Sequence, residues 1–138
     1  MIFIIMHKDP KFKKVLKEMI ESYQETGLMM DPLPKLKFIA DPQHGEDIYG
    51  STGYYDPKTM TVVVYTMNRH PKDVLRSLSH ELIHHDQNLR GLFNTQKAIS
   101  EDPAYAQSNP YLRKMEMDAN LRGNMLFRDF CDSEKYGK

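Results

Sequence analysis

The segment from His70 to Gly91 constrains the fold of this chain most, because its sequence marks both ends of a helix. Proline is favoured in a first helical turn and Asp73 complements the helix dipole there, so we expect the helix to begin at His70 or Pro71. Glycine is favoured just past a helix end, which places that end at Gly91. The sequence therefore predicts one long helix in the middle of the chain.

This helix, the second of three that the sequence predicts, has two different faces. At about 100° per residue, His80 and His84 lie one turn apart on the same face. The apolar side chains lie nearly opposite and are Val74, Leu75, Leu78 and Leu82. A single histidine near a core is most often a hydrogen-bonded structural residue, but two histidines that point together away from the leucines favour a ligand site.

The pentapeptide His80-Glu81-Leu82-Ile83-His84 has the spacing of a metal site with a base beside it. Both imidazoles can reach one ion, while Glu81 projects toward a water molecule on that ion. Zinc lowers the pKa of such a water from about 16 to about 7, and a carboxylate can take its proton and pass it to the leaving amine. The motif predicts one Zn²⁺ per chain, with His80 and His84 as ligands and Glu81 as the catalytic base.

A catalytic zinc site needs a third protein ligand, and a third helix predicted from Pro110 to about Phe130 offers Glu116. A helical wheel of this segment places Glu116 on the same face as apolar and small residues, namely Leu112, Met115, Ala119, Gly123, Leu126, Phe127 and Phe130. A carboxylate within an apolar face is costly unless it is paired or bound to metal, so we expect Glu116 to be the third ligand. Asn120, one turn further on, is the candidate to hydrogen-bond one of the ligands.

The other downstream candidates are His85, Asp86, Glu101, Asp102 and Asp118. Asp118 is about 200° from Glu116 around the helix and is expected to face solvent, or at most a side chain that holds a ligand from a different side. His85 and Asp86 are interpreted as solvated or capping groups at the end of the second helix. A donor for the oxyanion of a tetrahedral intermediate would be a tyrosine, His85 or Arg90, and the sequence does not choose among them.

The first part of the chain predicts a helix and a small sheet. Apolar residues recur at helical spacing from Lys11 to Thr26 and stop before Gly27, and Leu36 to Ala40 is a predicted strand. Residues 52–55 and 60–66 flank a turn in which Pro57 suits the second position of a type I turn. The class is therefore α+β, with this β-hairpin packed against the second and third helices.

The two hairpin strands differ in character. Val62 to Tyr65 form an unbroken apolar and aromatic run, typical of a central strand buried on both faces. Thr52 to Tyr55 is shorter and more polar, as edge strands tend to be, and an extended peptide can add to such an edge by main-chain pairing.

Composition and charge exclude several other classes. The 138 residues suit a single domain, and 19 basic side chains balance 19 acidic ones, so no global field attracts nucleic acid or an anionic membrane. The lone Cys131 excludes an internal disulfide and favours a reducing compartment. The apolar start, Met1 to Met6, is too short for a secretory signal and is interpreted as a short strand or a buried lead-in. We expect a cytoplasmic domain, residues 1–138, whose partner is a peptide or protein substrate.

These residues together resemble the zincin superfamily of metallopeptidases in its glutamate-ligand branch. Glu116-Met117-Asp118-Ala119-Asn120 resembles the ImmA/IrrE-type metallopeptidases, in which a Glu-x-Glu/Asp-Ala-Asn pattern follows the zinc helix. The chain departs from that pattern at Arg122-Gly123, where an aromatic residue and alanine are usual. His80 to His84 is also similar to the small processing metallopeptidases of the mitochondrial inner membrane. The resemblance implies a minimal zincin fold that cleaves peptide between the sheet edge and the zinc helix.

Two other functions fit the same sequence. A zinc-stabilised regulatory or interaction protein would keep the fold and the metal without turnover, although a structural site more often has four closed ligands and has no need of Glu81. A metal-free α+β binding module would contain the pentapeptide by chance. Metal analysis separates the last function from the others, and peptide digestion by wild type and Glu81→Gln separates the first two.

Overall fold

The computed structural model describes residues 3–5, 10–40, 52–67, 69–92 and 110–133. In chain order these form β1 (Phe3–Ile5), α1 (Pro10–Glu25), β2 (Lys35–Ile39), β3 (Gly53–Asp56), β4 (Thr61–Tyr65), α2 (Pro71–Leu89) and α3 (Pro110–Ser133). The class is α+β, as the sequence predicts, and the short strand expected near the start is β1. The ligand candidates Glu101 and Asp102 lie outside the described residues.

The four strands form one mixed sheet in the order β1-β2-β4-β3. β2 runs parallel to both β1 and β4, whereas β3 pairs antiparallel with β4 and completes the predicted hairpin. Four of the five residues of β4 are buried, and β3 is an edge strand of the described sheet. The central and edge roles of the two hairpin strands are therefore confirmed.

Local sequence sets both ends of α2. At its start, Nδ1 of His70 accepts a hydrogen bond of 3.0 Å from the N–H of Lys72, and Pro71 takes the first helical position. At its end, Gly91 has a φ of 81°, a left-handed conformation that favours glycine, and its N–H donates to the carbonyl of Asn88. The helix begins and ends where the sequence predicts.

The core lies between the sheet, α1 and the leucine face of α2. Leu75, Leu78 and Leu82 are fully buried, and they belong to one cluster with Leu16 of α1 and Phe38 of β2. Burial of each such side chain stabilises the fold by about 1.5–3 kcal/mol. Since this face is committed to the core, the histidine face of α2 is left to meet α3.

Helices α2 and α3 are in close contact at Gly123. A Cβ atom at this position would lie 3.1 Å from Cα of His80 and 3.3 Å from its backbone nitrogen. At the same crossing, Ser79 Oγ donates a 2.7 Å hydrogen bond to the carbonyl oxygen of Gly123. Ala119, one turn earlier, is also fully buried. These two small residues set the distance between the helix of Glu116 and the histidine helix.

We expect Gly123→Ala to lower the free energy of unfolding by about 1–3 kcal/mol, because the added methyl group meets backbone atoms that cannot move alone. This loss outweighs the gain of about 1 kcal/mol in helix propensity. Urea denaturation of the metal-free protein measures the change in the free energy of unfolding. Asp129→Ala, on the exposed side of α3, is the control and should change stability by less than about 0.5 kcal/mol. A Gly123→Ala protein as stable as wild type would contradict the close helix contact.

Within the described ranges, no helix combines the length and the apolar character needed to cross a bilayer. The cytoplasmic location stays a prediction. Cys131 is a free, buried cysteine at the end of α3.

Candidate metal centre

The two motif histidines and Glu116 meet at one point between α2 and α3. Nε2 of His80 lies 3.2 Å from Oε2 of Glu116, and Nε2 of His84 lies 2.9 Å from Oε1 of the same carboxylate. Two ligands at about 2.0–2.1 Å from a tetrahedral zinc ion are separated by about 3.3 Å. The distance from each histidine to the carboxylate is therefore close to that between neighbouring ligands on one ion.

Glu81 lies beside these donors. A ligand atom from each of His80, Glu81 and His84 lies within 4.8 Å of the other two. The Glu81 side chain is only 9% exposed, and its Oε2 is buried without a hydrogen-bond partner among the described residues. A buried carboxylate oxygen without a partner costs free energy, so the position favours a ligand that supplies the missing contact. Burial raises the pKa of Glu81.

The charges of the site favour a cation. Hydrogen bonds from His80 and His84 hold the pKa of Glu116 well below its usual range. Burial by itself would lower the pKa of His84, but the hydrogen bond and charge of Glu116, together with Glu81, raise it. The two carboxylates beside the imidazoles favour a positive charge at this point, and a divalent cation would use the same donor atoms.

The structure corrects the reason for which the sequence selects Glu116. The wheel places this carboxylate inside the buried face of α3, but its side chain is 56% exposed. Leu112, one turn earlier on the same face, is only half-buried as well. The helical phase is as predicted, but at this level the face of α3 lines an open cleft and not the core. Glu116 therefore lies beside the histidines because of the helix crossing and not because of burial.

Of the two environments predicted for Asp118, the structure shows contact with a side chain that holds a ligand, and Asp118 itself stays 35% exposed. Its carboxylate accepts two hydrogen bonds from Arg122, at 2.7 and 2.6 Å, and one of 2.8 Å from Nε2 of Gln87. The hydrogen bond from Arg122 lowers the pKa of Asp118. Asp118 lies on a different side from Glu116, as predicted, but that side packs against the last turns of α2.

His85 is likewise not a solvated helix-end group. It is fully buried, with Nδ1 2.7 Å from the hydroxyl of Tyr55 and Nε2 2.7 Å from the carbonyl oxygen of Pro32. Burial lowers the pKa of His85 and raises that of Tyr55 to about 12. The Tyr55 hydroxyl also accepts a 2.9 Å hydrogen bond from Asn88. His85 thus attaches the hairpin to α2 and is not placed to stabilise an oxyanion.

Asp86 is also buried, which corrects its interpretation as a capping group. It accepts a 2.8 Å hydrogen bond from the N–H of Met29 and forms ion pairs of 3.0 Å with Arg90 and with Arg122. Arg90 is therefore engaged by Asp86 and does not line the cleft with the histidines. The segment after α1 covers this end of α2, a long-range contact that the local sequence does not encode.

The donors open on a cleft of about 640 Å³ between β3, α2 and α3. Tyr54 and Tyr55 of β3 form one wall, and Leu112 and Met115 of α3 contribute to the other. Asn120 lines the same cleft as an exposed side chain and makes no hydrogen bond to either histidine among the described residues. The side chain that does hold a histidine is Gln87, one turn after His84, which sequence reasoning missed. Its spacing of three residues from His84 is the signal that was available.

No family model, curated protein or solved structure matches this chain. The site is defined by its own chemistry. Two imidazoles and a carboxylate from two helices converge in an open cleft, with the buried carboxylate of Glu81 beside them.

Proposed function

We propose that this protein is a zinc-dependent peptidase of the glutamate-ligand zincin type, which hydrolyses peptide bonds in the cleft between β3 and α2. The observation that carries the proposal is the convergence of the Nε2 atoms of His80 and His84 on the two oxygens of Glu116, at 3.2 and 2.9 Å. These three side chains would hold the ion, since two imidazole nitrogens and one carboxylate oxygen are a donor set of catalytic zinc.

The other residues have separate roles in the reaction. Bound zinc would lower the pKa of a coordinated water and polarise the carbonyl group of the substrate. Glu81 accepts a proton from the attacking water while the water oxygen bonds to the carbonyl carbon of the substrate. It then donates this proton to the leaving amine as the C–N bond breaks. Its buried position supports this role, because a raised pKa brings the carboxylate closer to the pH at which both transfers are efficient.

The edge strand β3 is the proposed docking site for the substrate backbone. It borders the cleft and is an edge strand of the described sheet, and an extended peptide can add to such a strand by main-chain pairing. Because His85 and Asn88 both bond the Tyr55 hydroxyl, Tyr54 is the better tyrosine to donate a hydrogen bond to the oxyanion.

Turnover is favoured over a purely structural metal site by two features. Structural zinc sites are usually closed by four protein ligands. Here three ligand candidates face an open cleft, and the neighbouring Glu81 has a buried oxygen with no partner among the described residues. A structural site has no use for this carboxylate.

Metal analysis tests the first step of the proposal. We expect wild-type protein refolded with zinc to retain close to one ion per chain, and His80→Ala or His84→Ala to weaken binding by at least about 100-fold, more than the loss of an outer-shell partner. Elemental analysis and competition with a chromophoric chelator measure both quantities. His70→Ala removes a histidine at the far end of the same helix and should keep the zinc. A wild-type protein that stays metal-free under these conditions would contradict the proposal.

A further inference from the structure

Behind His84, the buried side chain of Gln87 connects the histidine to α3. Oε1 of Gln87 lies 2.8 Å from Nδ1 of His84. Nε2 of Gln87 donates two hydrogen bonds, one of 3.0 Å to the carbonyl oxygen of Met115 and one of 2.8 Å to Oδ2 of Asp118. Gln87 is fully buried, so no exchange with bulk water competes with these contacts.

The two acceptors on α3 fix which way the amide of Gln87 points. A carbonyl oxygen and an ionised carboxylate can only accept, so both N–H groups of Gln87 must face Met115 and Asp118. Its oxygen then faces His84 and can only accept a hydrogen bond. Nδ1 of His84 must therefore carry a proton, and Nε2 is the ring nitrogen left for a cation.

We propose that Gln87 is a positioning residue, which holds His84 in the tautomer that binds metal through Nε2, and that Asp118 and Arg122 hold the amide of Gln87 in the orientation this requires. The inference rests on the metal centre of the proposed function but not on peptide turnover.

Arg122 completes this chain of contacts. It donates to both oxygens of Asp118, at 2.7 and 2.6 Å, and to Asp86 of α2 at 3.0 Å. Metal-bound histidines usually donate their second N–H to a carboxylate, a backbone carbonyl or water. Here a neutral amide stands between the histidine and the carboxylate, so the ring is oriented without a further negative charge against it. This gives a reason for arginine at position 122, where the resemblance to the ImmA/IrrE-type pattern ends.

The test compares zinc affinities of intact variant proteins by chelator competition at one pH. Gln87→Met keeps the length of the side chain but cannot accept from His84, and we expect zinc to bind about 10–100-fold more weakly.

A matched control separates positioning from general stability. Ile20→Val removes a buried methylene group from the core face of α1, which lies on another helix than the zinc ligands. It should lower the melting temperature and leave zinc affinity unchanged. If Ile20→Val and Gln87→Met weaken zinc binding equally, or if neither does, the positioning role is overturned.

A direct measurement does not depend on the variants folding. Side-chain ¹⁵N spectra of zinc-loaded wild type should show His84 bound through Nε2, with a proton on Nδ1. Metal bound through Nδ1, or an Nδ1 without a proton, would overturn the inference even if zinc binds tightly. If wild type binds no zinc, the metal centre and the proposed function fail together, a result distinct from a failure of Gln87 alone.

Discussion

Glu81→Gln should abolish peptide hydrolysis while the protein keeps its zinc and its fold. The amide is nearly isosteric with the carboxylate but cannot accept a proton from the attacking water. A positioned general base contributes about 10²–10⁴-fold to the rate, so we expect a loss of at least that size. Digestion of a peptide library, followed by mass spectrometry, measures the rate, and elemental analysis measures the zinc in the same sample.

Glu21→Gln is the matched control for this substitution. Glu21 is an exposed residue of α1, and the same change of charge there should leave both zinc content and cleavage intact. Equal cleavage by wild type and Glu81→Gln would show that Glu81 is not the base. If neither protein cleaves any peptide while both bind zinc, the regulatory or interaction protein becomes the better interpretation of the metal centre.

The parts of the fold that are set by residues close together in the sequence could be predicted from it. The ends of α2 follow from Pro71 and Gly91, whose backbone preferences act within one turn. The opposition of the leucine and histidine faces follows from the helical period alone, and the buried leucines confirm it. The strong apolar run of β4 likewise identified a central strand.

What depends on contacts between distant segments could not be predicted in this way. Asp86 is buried because Met29, in the segment after α1, bonds to it across 57 positions of the chain. The parallel pairing of β2 with β4 has no local signal, because register between distant strands is set by packing. The wheel gave the direction of Glu116 correctly, but it carries no information on whether that direction meets a core or a cleft.

The strongest test of which face of α3 points toward the metal compares Glu116→Ala with Asp118→Ala. We expect Glu116→Ala to weaken zinc binding by at least about 100-fold, because it removes the carboxylate that contacts both histidines, at 3.2 and 2.9 Å. Asp118 touches only Gln87 on the path to His84, so Asp118→Ala should weaken binding by no more than about tenfold. Chelator competition on the two variants gives the ratio of their zinc dissociation constants directly.

Thermal unfolding provides an independent measure of the same pair. A ligand that binds only the folded state at 100 times its dissociation constant adds about 2.7 kcal/mol of stability, so zinc should raise the melting temperature of wild type clearly. In Glu116→Ala this zinc-dependent rise should vanish, because the ion can no longer connect α2 to α3. In Asp118→Ala the rise should persist, although the metal-free protein loses the Arg122 and Gln87 contacts and starts from a lower melting temperature. If Asp118→Ala instead loses the zinc-dependent rise and Glu116→Ala keeps it, the wrong face of α3 has been assigned to the metal, and the likeness to glutamate-ligand zincins fails with it.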